Sequence, residues 1–102
     1  MDKYFDKLVD HRRKLHKIPE TAFNENETGN YIKKVLHELG CFKLQLMAKT
    51  GIVAEYRKND GPFIAFRTDI DALKIKESTG LEFTSQNDGY MHACGHDIHM
   101  SM

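Results

Sequence analysis

Residues 26–57, NETGNYIKKVLHELGCFKLQLMAKTGIVAEYR, change period halfway along, and that change decides the fold class. Tyr31, Ile32, Val35, Leu36 and Leu39 recur on one face of a 3.6-residue repeat. Acidic Glu25 and Glu27 sit near the start, where a helix carries its positive end, and Gly40 follows the last apolar position. This spacing predicts a helix from Asn26 that stops at Gly40. Beyond it the period falls toward two: FKLQLMA (42–48) alternates, and IVAEYR (52–57) is rich in β formers, so two strands should follow.

Toward the N-terminus, Tyr4, Phe5, Leu8, Val9, Leu15 and Ile18 stand close to helical spacing, with Pro19 placed to stop the helix. An amphipathic helix over residues 2–17 is expected. Toward the C-terminus, Asn59-Asp60-Gly61-Pro62 turns the chain and FIAFRT (63–68) reads as a third strand. Residues 76–91 are mostly polar, with turn signals at Thr79-Gly80 and Asp88-Gly89, and read as a surface loop with room for a short strand. Two helices followed by strands make an α/β domain that opens with its helices.

The whole chain has 102 residues, 15 Lys plus Arg against 15 Asp plus Glu, and 40% hydrophobic residues. With a mean hydropathy of −0.57 it reads as one soluble domain or less, and not as a disordered, collagen-like or membrane-spanning chain. No run approaches the roughly 18 apolar residues that would cross a bilayer, and the start MDKYFDKLVD lacks the apolar stretch of a signal peptide. The cytosol is the expected compartment. A net charge of zero removes the basic footprint of a nucleic-acid binder and any global bias toward acidic lipid, so neither partner is expected. All 15 basic residues lie at or before Lys76, whereas Glu77, Glu82, Asp88 and Asp97 follow it. Residues 1–76 therefore carry +4 and residues 77–102 carry −4. Cys41 and Cys94 form no CxxC pair and are expected to stay reduced thiols.

Chemistry concentrates in that acidic tail. His92-Ala93-Cys94-Gly95-His96-Asp97-Ile98-His99 offers one thiol, three imidazoles and a carboxylate, all of them first-row metal ligands. In an extended backbone, residues 92, 94 and 96 would share one side, about 6.6 Å apart, and Gly95 would permit a bend that brings side chains together. Cys94 and His96 are the favoured pair. The alternative is a set of solvated loop histidines around a small buried cysteine. A second constellation, Arg67-Thr68-Asp69-Ile70-Asp71, runs a predicted strand into two carboxylates on one side. One could ligate or orient a metal-bound group while the other meets Arg67 or a backbone donor. A third cluster, His11, Arg12, Arg13, Lys14, His16 and Lys17, is read as cations at the negative end of the first helix, balanced by Asp2, Asp6 and Asp10. An anion site would want a glycine-rich loop, and none is there.

Three blocks together, Arg12-Arg13-Lys14-Leu15-His16-Lys17-Ile18-Pro19-Glu20, Arg67-Thr68-Asp69-Ile70-Asp71-Ala72-Leu73 and Met91-His92-Ala93-Cys94-Gly95-His96-Asp97-Ile98-His99-Met100, resemble the aminoacylase-type metallopeptidase and amidohydrolase family. The match in order and spacing is to the branch holding hippurate hydrolases, N-acetyl-diaminopimelate deacetylases and hydrolases of auxin–amino-acid conjugates. The resemblance covers the chain from residue 4 onward, and the His-Ala-Cys-Gly-His-Asp block carries most of its weight. It implies a zinc-peptidase-like catalytic domain, with a mixed sheet between helices and a smaller lid or dimerisation domain inserted later.

By the same resemblance, Cys94 and His96 are metal ligands and Asp71 is the aspartate that supports a ligand, with Asp69 carried over less firmly. The complete site would hold two divalent metals, manganese or zinc, and the substrate would be a small N-acyl amino acid. A metal-activated water attacks the amide carbonyl in that family, with a glutamate as general base. That glutamate, a second one and two histidines are expected beyond residue 102, as is any homo-oligomer interface. One local departure is Lys74, where the family has proline after Ala-Leu, which loses a turn-fixing residue but no ligand.

The densest chemistry lies three residues from Met102, so the chain is expected to be the N-terminal portion of a catalytic metallohydrolase domain, over residues 1–102, and inactive by itself. Two other readings are a short metal-binding protein using His92, Cys94, His96 and His99, and a non-functional truncated remnant.

Overall fold

The computed structural model describes residues 2–102. Helix α1 spans Asp2–His16 and helix α2 spans Asn26–Leu39. Gly40 closes α2 in a left-handed conformation, its N–H donating to the His37 carbonyl. Strand β1, Lys43–Met47, and strand β2, Gly51–Glu55, form an antiparallel hairpin in the register Lys43↔Glu55 to Met47↔Gly51. A short helix α3, His96–Ser101, ends the described chain. Both long helices and both hairpin strands thus lie where hydrophobic period places them.

Two expectations fail. Residues 63–68 form no strand: a β-run needs a neighbour to take up its N–H and C=O groups, and no described segment pairs with this one. Residues 92–96 are not a continuous extended run either, because Gly95 takes φ 93° and His96 starts α3. A residue with a side chain adopts that φ at a cost, which glycine avoids. Positions 94 and 96 therefore lie on either side of a left-handed corner.

The turn between α1 and α2 is tied by carboxylates. Glu20 caps α2, its Oε1 accepting the Thr28 N–H at 2.8 Å and its Oε2 the Glu27 N–H at 3.1 Å. Buried Glu25 accepts the Phe23 N–H at 2.8 Å and bonds the Thr50 hydroxyl, which fastens the hairpin loop to the start of α2. His11 Nδ1 lies 2.6 Å from the Tyr31 hydroxyl and ties α1 to α2.

Leu15, Pro19 and Ala72 are buried apolar residues, alongside buried His16, Thr28, His92 and Asp97. At the other end Phe66 is 97% exposed and Ile64 82%. The Cα radius of gyration, 14.5 Å, exceeds the roughly 13 Å of a globular domain this long. One end is folded around polar groups, and the other spreads.

Candidate metal centre

All three sequence blocks meet at the polar end. The first and second are joined by backbone, with the Ala72 N–H donating to the Glu20 carbonyl at 2.7 Å. The second and third exchange a reciprocal pair of bonds between Leu73 and Met91, each 2.9 Å, the one ladder step in the 76–91 region. The loop between them is pinned to the end of α1, the Gln86 N–H donating to the Lys17 carbonyl and Asn87 Nδ2 to the Pro19 carbonyl, both at 2.9 Å.

His96 sits against the second block. Its Nδ1 lies 2.9 Å from the Asp71 carbonyl oxygen and 3.1 Å from Asp71 Oδ1. Both atoms accept, so Nδ1 carries the proton and the Nε2 lone pair is left free. Nε2 faces Asp69 Oδ2 at 3.9 Å, and Asp69 itself takes Arg67 Nη2 at 2.7 Å. Cys94 is an exposed free thiol, as is the distant Cys41. Asp71 and His96 are thus brought together, with Cys94 one residue before the left-handed corner.

His92 and His99 are not brought to that point. His92 is buried, neither ring nitrogen has a partner among the described residues, and burial pushes its imidazole below the ordinary value against the opposing pull of Asp97. His99 lies exposed on α3. Among the described residues no three His, Cys, Asp or Glu side chains gather closely enough to hold a metal ion. The donor chemistry suits a metal, with a thiol, an imidazole of set tautomer and two carboxylates, but these groups do not complete a site.

Sequence reading missed the groups that hold this corner. Arg12 and His16 read as helix-end cations, yet both reach across to Asp97, whose Oδ2 takes Arg12 Nε at 2.9 Å and His16 Nδ1 at 2.7 Å. His16 Nε2 meets Glu77 Oε1 at 2.9 Å. Burial alone would raise the Glu77 pKa, but hydrogen bonds from Thr79, the Ser85 N–H, His16 and Thr84 outweigh it and lower the value to about 2. Glu77 is therefore an ionised acceptor. A carboxylate oxygen faces each ring nitrogen of His16, and the Arg12 guanidinium shares the Asp97 one. Phe83 closes the cluster edge-on to His16, with the Arg12 guanidinium 4.9 Å from the Phe83 ring centre. The only sequence hint was Arg12 and His16 at i, i+4, which places them on one helix face.

Residues 65–102 match peptidase family M20/M25/M40. Over nearly the whole chain, 96% of it, an N-acetylcysteine deacetylase of Bacillus subtilis (strain 168) is 50% identical. An N-acetyldiaminopimelate deacetylase of Geobacillus sp. (strain WCH70) is 49% identical over 89% of the chain. The crystal structure of the Bacillus subtilis YXEP protein, described as a dinuclear metal binding peptidase from the M20 family, superposes on 99% of the chain with a TM-score of 0.91 at 44% identity. Along nearly its whole length the chain is similar to proteins of the M20 peptidase family. It spans about a quarter of the length of its curated M20 relatives, 27% of the first and 25% of the second, and 29% of the YXEP chain. The α/β arrangement is that of the corresponding part of M20 structures. Among the described residues no helix is long and apolar enough to cross a membrane.

Proposed function

We propose that residues 1–102 are the opening portion of the catalytic domain of a metal-dependent amidohydrolase that cleaves the amide bond of small N-acyl amino acids. The observation that carries this reading is the tautomer lock on His96, whose Nδ1 is held by Asp71 next to the exposed Cys94 thiol. It falls inside the stretch that matches the M20 family, and the similar proteins are deacetylases of acylated amino acids.

In this reading Cys94 Sγ and His96 Nε2 are ligands of a pair of divalent metals, manganese or zinc. When bound, such a pair supplies Lewis-acid polarisation of the amide carbonyl and a nucleophilic water at neutral pH. The chain's own residues prepare the site. Asp71 holds the proton on His96 Nδ1 and keeps the ring from turning. Asp69 places negative charge beside Nε2, and the acidic 77–102 segment raises the local concentration of cations. A reducing compartment, the cytosol, suits the free Cys94. The general base and remaining ligands belong to further segments of the polypeptide, as do the inserted lid and any homo-oligomer interface. Residues 1–102 alone are therefore inactive. No observation favours a small metal-storage site, since His92 and His99 do not join Cys94 and His96.

The test is hydrolysis of N-acetylcysteine, N-acetyl-diaminopimelate and hippurate with manganese or zinc, reading free amino acid. The complete polypeptide carrying these residues should turn over at least one substrate, and Cys94→Ser or His96→Ala should abolish it. Turnover that survives both substitutions overturns the proposal.

A further inference from the structure

We propose that Arg12, His16 and Glu77 are positioning residues for the Cys94–His96 corner and act on it through Asp97, an inference that rests on the metal reading of Cys94 and His96. Local structure alone does not hold that corner. Gly95 at φ 93° has open space around its Cα, and α3 is only six residues long, far below the length at which an isolated helix persists in water. What fixes it is Asp97, 1% exposed, in the first turn of α3. Its Oδ1 takes the Ile98 N–H at 3.0 Å, and its Oδ2 takes the two donors from α1.

The anchor continues past Asp97 to a second fixed point. His16 passes from Asp97 to Glu77, and Glu77 is held by the Ser85 N–H at 2.9 Å and the Thr79 hydroxyl. A line of charge-assisted bonds therefore runs from the 77–85 loop through α1 to the residue following His96. Asp71 orients the His96 ring, while Asp97 fixes the backbone from which that ring and Cys94 project. Neither half of this arrangement replaces the other, because a ring held from one side on a mobile backbone still wanders relative to the thiol.

Partners one shell outside metal ligands typically change metal affinity by about 10–100-fold, and that is the expected scale. The experiment titrates cobalt(II) into the metal-free complete polypeptide that carries residues 1–102, reading the thiolate-to-cobalt charge-transfer absorption and, in parallel, far-ultraviolet circular dichroism. Asp97→Asn should weaken cobalt binding about tenfold and leave the band at saturation unchanged, because both ligands survive. His16→Ala should weaken binding comparably, and combining the two should cost little more than either alone, since they act along one line. Glu77→Gln, remote from α3, should weaken binding severalfold and decides the matter if Asp97→Asn loses helix signal.

A wild-type band that Cys94→Ser removes, with unchanged affinity in folded Asp97→Asn or Glu77→Gln, overturns the positioning role alone. A wild-type protein with no such band overturns the metal reading and the positioning role together. Additive losses in the double variant show that His16 does not act through Asp97 and also overturn the inference.

Discussion

The two ends of the molecule are stabilised by opposite means. Where α1, α3 and residues 72–97 meet, the buried groups are chiefly polar, and the ionic ones at its centre are matched: Arg12 and His16 against Asp97 and Glu77. Leu46, Met47 and Val53 of the hairpin are exposed, as are Phe63, Ile64 and Phe66 after it, in a chain that spans about a quarter of the length of its relatives. A buried charge is expensive unless paired, so the polar end tolerates little change, whereas an exposed phenylalanine contributes almost nothing to folding. The difference teaches that, within residues 2–102, the buried side-chain contacts are those of the polar end.

The sharpest way to break that comparison is Asp97→Ala, which removes the acceptor shared by Arg12 Nε and His16 Nδ1 and leaves His16 only Glu77. It should lower stability by about 3 kcal/mol, measured by urea unfolding, because two donors, one of them the Arg12 guanidinium, lose their acceptor. A loss under about 1 kcal/mol would mean that the cluster is solvated. Leu15→Ala tests the small apolar component of the same end, where Leu15 is 2% exposed. An expected cost of about 2–3 kcal/mol reflects lost burial in a core that can partly collapse.

Acid should attack the polar end through Glu77. Its folded pKa of about 2 lies below the ordinary 4.5, so its ionised form stabilises the fold fully above about pH 4.5. That contribution is lost as pH falls from 4.5 toward 2, as the folded protein resists the proton that the unfolded chain accepts. Thermal melts at stepped pH should show this decline, and Glu77→Gln should flatten it. The smallest effect is expected at the other end: Phe66→Ser should change stability by less than about 0.5 kcal/mol. A larger loss would show that Phe66 is covered in solution.

The elements that local spacing can encode were legible. Helical period marked α1 and α2, Gly40 marked the stop, and alternation marked β1 and β2, because each of these is satisfied by hydrogen bonds to near neighbours or across one tight loop. The 63–68 run was misread for the converse reason: β-rich composition makes a segment able to pair but does not supply a partner. Helix α3 leaves no periodic signal because it has only six residues, and Gly95 in sequence is equally compatible with a bend in an extended run.

The same division runs through the candidate site. Residue type and spacing alone singled out Cys94, His96 and Asp71, since few side chains have the donor atoms that a metal site needs. Only tertiary structure decided that Asp71 faces His96 Nδ1, that His92 is buried with both ring nitrogens unpartnered, and that Arg12 and His16 abandon the end of their helix for a carboxylate 81 to 85 residues away. Sequence states which charges a helix carries, but which of them is buried depends on what folds against it. Here a carboxylate brought from the far end of the chain turned two apparently solvated cations into the anchor of the site.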